Sequence, residues 1–75
     1  MDTAVMIKKI EESFVKYKQG DIYRSVIDTT EKILIEKALE CSDGNKIAAA
    51  KILGLNRNTL HSKIKKLNIN VEFYK

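Results

Sequence analysis

Between Arg57 and Lys66 the chain concentrates side chains able to make directional polar contacts: Arg57, Asn58, Thr59, His61, Ser62, Lys63, Lys65 and Lys66. An arginine fork can engage both major-groove acceptors of guanine, an asparagine amide matches adenine, and a threonine reaches a phosphate or a thymine methyl. Arg57, Asn58 and Thr59 therefore read as candidates for base contact, and Lys63, Lys65 and Lys66 as clamps on a phosphate backbone. The plainer reading of any one of them is a solvated surface residue. Their clustering on one short segment favours a reading face. His61 has no companion ligands for a metal and no nucleophile to serve. No glycine-rich phosphate cradle or acid/base pair accompanies it, so neither catalysis, a cofactor nor a metal is expected.

Such a face needs a helix with an inward stripe, and Leu60, Ile64 and Leu67 supply one at i, i+4 and i+7. Asn56 before them is an N-cap type, and Gly54 allows a tight turn followed by the apolar plug Leu55. Upstream, Asn45 can cap a short helix over Lys46 to Leu53, whose Ala48, Ala49 and Ala50 have too little bulk to keep a crossing helix away. Two helices joined by a short glycine turn form the helix-turn-helix pattern. Asn45, Lys46 and Asn56, at the starts of these helices, complete the expected nucleic-acid-contacting set.

The charge distribution agrees. Met1 to Asp43 carries seven Lys/Arg against nine Asp/Glu, a balance of −2, whereas Gly44 to Lys75 carries seven against one, a balance of +6. A short segment with that excess, lacking its own acidic partners, suits a polyanion.

The N-terminal part reads as two further helices. The first, roughly Thr3 to Gln19, lines up Met6, Ile7, Ile10, Phe14 and Tyr17 on one stripe. The second, roughly Asp21 to Cys41 with Asp21 as N-cap, carries a wide apolar stripe of Ile22, Tyr23, Val26, Ile27, Ile33, Leu34, Ala38 and Cys41, with Ile35 and Leu39 off it. A helix apolar on more than one side packs against more than one surface, either the C-terminal helices, a second subunit, or both. A 75-residue chain buries little of its surface, and its single cysteine, read as a small core residue, excludes an internal disulfide. Oligomerisation is the remaining support. No apolar run approaches membrane-span length and no signal-peptide core is present, so a soluble cytoplasmic protein is expected.

Gly44-Asn45, Ala49-Ala50, Leu53-Gly54-Leu55-Asn56-Arg57, Thr59-Leu60 and Lys63-Ile64-Lys65 together resemble the helix-turn-helix of the Fis family. That family also forms the C-terminal DNA-binding domain of NtrC-like, sigma-54-dependent activators. The resemblance runs from about Asp21 to Asn70. It implies an all-α fold of four helices: dimerisation helices over 1–43, the helix-turn-helix over 44–70 and a tail over 71–75. It implies base contact for Arg57, and base or backbone contact for Asn56, Thr59 and Lys63. His61 and Ser62 depart from the arginine and the basic residue frequent in relatives, which bears on site preference, and Asn68 stands where relatives often have glycine.

The resemblance further implies a homodimer in which the first two helices of each subunit intertwine, giving Ile7, Ile10, Phe14, Tyr17, Tyr23, Val26, Ile27, Ile33 and Leu34 as expected interface residues. Two recognition helices about a two-fold axis imply a palindromic double-stranded DNA site with half-sites about 34 Å apart on straight DNA. The expected function is the DNA-binding domain of an activator whose full-length chain also carries an ATPase domain. The alternative is a free-standing architectural protein that bends DNA. A helical dimerisation module with a basic face is a third, non-DNA reading.

Overall fold

The computed structural model describes residues 2–16 and 19–75; Tyr17, expected at the dimer interface, lies outside them. Four α-helices follow one another, α1 (Thr3–Lys16), α2 (Ile22–Cys41), α3 (Lys46–Leu53) and α4 (Arg57–Lys66), then a 3-10 turn over Val71–Tyr74. No strand occurs among the described residues, so the fold is all-α.

Helix boundaries follow local chemistry. Asn45 Oδ1 accepts the Ala48 amide at 3.1 Å and opens α3, and Asn56 Oδ1 accepts the Asn58 amide at 2.8 Å and opens α4. Each thereby satisfies a backbone donor with no partner inside its helix. Gly54 closes α3 at φ 72°, which lets Leu55 N–H donate to Ala50 O at 2.9 Å. Asn68 adopts φ 56° after α4, and Ile69 N–H donates to Ile64 O at 3.0 Å. Asp21 occupies the N-cap position of α2 but accepts no side-chain hydrogen bond there, because its backbone is already in the right-handed helical region.

The core is built from Ile35, Ala38 and Leu39 of α2, Ala49 and Ala50 of α3, Leu60 and Ile64 of α4, and Ile69 beyond it. Ile35 and Leu39 thus receive the C-terminal helices, which settles which surface that side of α2 meets. Complete burial of Ala49 puts a methyl group where α3 meets its neighbours, as the alanine run requires. Leu53, Leu55, Leu67, Val71 and Tyr74 pack around the edge of this cluster. The last residues, expected only as a tail, therefore cover the core and lie against α2.

Cys41 is exposed, contrary to its reading as a core residue. It continues the heptad spacing of Ile27 and Leu34 on the outer stripe of α2, which also holds Tyr23, about a quarter-turn or more from the Ile35–Leu39 face. α1 places no residue in the core: Met6, Ile7, Ile10 and Phe14 all remain exposed, as do Tyr23, Ile27 and Leu34 on α2. Val26 and Ile33 are half-buried and, with Met6, Ile10 and Leu34, line an apolar groove between α1 and α2.

Candidate nucleic-acid interface

α4 is anchored by the side that carries Leu60 and Ile64, both buried against α2 and α3. At 100° per residue, this sends Asn58, Ser62 and Lys65 outward, flanked by His61 on one side and Thr59 and Lys66 on the other. All six are exposed, as is Arg57 at the helix start. The helix contains no acidic residue and carries Lys63, Lys65 and Lys66 in its last turn. Its C-terminal cations oppose the partial negative charge of the unsatisfied carbonyls there, and the exposed Lys65 extends the positive surface along the outward face.

The capping residues are partly committed. Asn45 and Asn56 spend their side-chain oxygens on the helix starts, which leaves each amide N–H₂ as the group free to face a ligand. Lys46 is exposed at the start of α3. Arg57, Lys46, Lys51 and Lys65 form no ion pair among the described residues.

Lys63 and Lys66 are placed differently. Lys63 Nζ donates to both carboxylate oxygens of Glu31, each at 3.0 Å, and Lys66 Nζ lies 3.5 Å from Asp28 Oδ1. Within the basic segment Glu72 pairs with Lys75, and α2 supplies the carboxylates for Lys63 and Lys66 across the fold. Nothing local in the sequence marks this pairing, since Glu31 and Lys63 are 32 residues apart. The i, i+3 spacing of Asp28 and Glu31 was the available signal, and it reads equally well as a solvated acidic face.

Behind the interface, Gly44 at φ 80° is buried beneath Lys75, the last residue of the chain. The Tyr74 phenol is raised above its ordinary pKa by partial burial, by its hydrogen bond to Glu36, and by the negative charges of Glu36 and Glu40. No group of metal-ligating side chains occurs among the described residues, and no helix there is long and apolar enough to cross a membrane.

Comparison with known proteins points the same way. Residues 26–67 match the family described as bacterial regulatory protein, Fis family. The chain is 38% identical over 73 residues to the DNA-binding transcriptional regulator NtrC of Azospirillum brasilense, an alignment covering 92% of this chain and 15% of that protein. It is 48% identical over 50 residues to NtrC of Rhizobium meliloti (strain 1021), covering 67% of this chain and 10% of the relative. It is also 36% identical over 51 residues to the DNA-binding protein Fis of Proteus mirabilis (strain HI4320), covering 68% of this chain and 52% of the relative. The chain thus spans 15% or less of these NtrC relatives and about half of Fis. No solved structure matches it.

Proposed function

The chain belongs to the Fis family of bacterial regulatory proteins, and on that premise we propose that it is the DNA-binding domain of an NtrC-type transcriptional activator, acting as a homodimer on a palindromic double-stranded DNA site. The observation that carries this reading is the outward face of α4, where Asn58, Ser62 and Lys65 lie between His61 and Thr59 with Lys66, on a helix free of acidic residues and held by the buried Leu60 and Ile64, with Arg57 exposed at its start. Arg57 and Asn58 read base edges, Thr59, His61 and Ser62 complete the contact surface, and Lys65 with Lys46 holds phosphate.

Residues 1–43 serve dimerisation and residues 44–70 the helix-turn-helix. The support for a dimer is that α1 buries nothing within one chain and leaves an apolar groove against α2. A second copy laying its own α1 and α2 into that groove covers Ile7, Ile10, Phe14, Tyr23, Ile27 and Leu34 at once. The two α4 helices then address successive major grooves about 34 Å apart on straight DNA. In the cytoplasm, such a dimer tethers an ATPase domain of the same full-length chain near a sigma-54-dependent promoter and raises its local concentration there. The role is binding rather than catalysis. The broader coverage of this chain by NtrC of Azospirillum brasilense supports the activator reading. The likeness to Fis of Proteus mirabilis favours the second reading, an architectural DNA-bending protein.

The test is a titration of the chain against a random duplex pool and a selected palindrome at two salt concentrations, with the mass of the free protein and of the complex measured. A dimer with a steep salt slope and a preferred palindrome supports the activator. Salt-dependent binding without preference favours the architectural protein, and absence of binding at low salt refutes both.

A further inference from the structure

The ion pairs between α2 and α4 bear on how strongly α4 meets DNA. Lys63 directs its ammonium at both oxygens of Glu31 at 3.0 Å, and the two side chains are only 30% and 27% exposed. Lys66 lies 3.5 Å from Asp28, at a more open pair. Asp28 and Glu31 share one face of α2 by their i, i+3 spacing, so two carboxylates border the α2 side of an otherwise acid-free helix.

We propose that Glu31 and Asp28 stand in for DNA phosphate within the free protein, holding Lys63 and Lys66 against α2 and thereby setting the affinity and salt dependence of binding; the inference rests on the reading of α4 as the DNA-facing helix. A lysine already satisfied by a carboxylate gains little by exchanging it for a phosphate, since one anionic acceptor replaces another. The carboxylate left behind also repels the incoming backbone. The Glu31–Lys63 pair is shielded enough for its attraction to exceed that of a fully exposed pair, so it carries most of this effect. Lys65 and Lys46 have no such partner among the described residues and meet phosphate at full charge. The carboxylate edge thus makes α4 a weaker polyanion ligand than its sequence implies, and it places the phosphate path on the Lys65 side of the helix.

The experiment is an anisotropy titration of the 75-residue chain on a random duplex from 50 to 200 mM salt, comparing wild type with Glu31→Gln, Asp28→Asn and the Glu31→Gln/Lys63→Gln double variant, each checked by thermal melting. Freeing one lysine to engage a phosphate steepens the slope of log K against log salt by about 0.9. Glu31→Gln is therefore expected to bind about three- to tenfold tighter at 50 mM, with that advantage shrinking about 3.5-fold by 200 mM. Adding Lys63→Gln removes the gain. Asp28→Asn shifts binding the same way by less, and it decides the question should Glu31→Gln melt below the assay temperature. Tightening that survives in the double variant overturns the inference. Salt-dependent binding by wild type with an unaltered or shallower slope in Glu31→Gln and Asp28→Asn overturns the inference alone. No salt-dependent binding by wild type overturns the DNA reading and the inference with it.

Discussion

Gly44 and Gly54 both hold left-handed backbone, at φ +80° and +72°, yet an alanine at each meets different surroundings. A Cβ on Gly54 has nothing within 4 Å, whereas a Cβ on Gly44 falls 2.6 Å from Lys75 Cγ, 3.1 Å from its amide nitrogen and 3.3 Å from its Cα. The backbone cost of a non-glycine residue in this region is about 1–2 kcal/mol. Lost freedom in the unfolded chain offsets about 0.4–1 kcal/mol of it. Gly54→Ala is therefore expected to destabilise by about 1 kcal/mol. Gly44→Ala adds an overpacking cost, typically about 1–3 kcal/mol, taken here at the lower end because the nearest atom, Lys75 Cγ, belongs to a side chain that can rotate aside. A total of about 2–3 kcal/mol results, against about 4–11 kcal/mol for a domain of this length, so the variant still folds. Moving Lys75 disturbs the 3-10 turn, where its amide reaches Glu72 O at 3.3 Å and its ammonium the Glu72 carboxylate at 3.1 Å. Urea unfolding followed by circular dichroism at one fixed protein concentration measures both losses. Deleting Lys75 in the Gly44→Ala background should return its stability close to the Gly54→Ala level. Equal losses for the two substitutions, or no recovery on deletion, would show that the chain end does not rest on Gly44, and the reasoning would fall.

Arg57→Ala should cost about 1–3 kcal/mol on the preferred duplex and flatten the preference; equal losses on every sequence would refute a base-reading role. Lys65→Ala, which removes an exposed lysine with no ion pair among the described residues, should weaken all duplexes alike and lower the salt slope by about 0.9. Phe14→Asp puts a charge on a side chain that is 64% exposed in the single chain, and sedimentation equilibrium should show a monomer that keeps the α2–α4 helicity. A Phe14→Asp protein that remains dimeric would exclude this face of α1 from the interface. The raised Tyr74 pKa means that the phenol contributes its full share below its ordinary value of 10.0, and that this share is lost as pH rises through the folded-state value. Tyr74→Phe should accordingly lose less stability than wild type between pH 9 and pH 11, as read from urea midpoints, and identical losses would place the tyrosine outside any interaction with Glu36.

The helix-turn-helix was legible in the sequence because its signals are local. A capping oxygen at Asn45 or Asn56 reaches an amide two or three residues away, Gly54 needs only its own missing side chain, and Leu60 with Ile64 declares a buried face by spacing. The clustering of Asn58, Ser62 and Lys65 on the opposite side follows from the same 3.6-residue period. Periodicity says that a side chain lies on a face; it does not say which element covers that face. On α2 the sequence left open whether the wide stripe or the off-stripe Ile35 and Leu39 met the C-terminal helices, and packing assigned Ile35, Leu39 and the stripe's Ala38 to the core while Tyr23, Ile27, Leu34 and Cys41 stayed outside. Ile69 and the 3-10 turn joined the core for a reason no local pattern carries: the chain reverses at Asn68, φ 56°, and runs back to α2. Composition revealed the basic excess after Gly44, but only the crossing of α2 and α4 decided which lysines keep their charge free for a partner, because an ion pair spanning 32 residues depends on where two helices meet and leaves no trace in either segment alone.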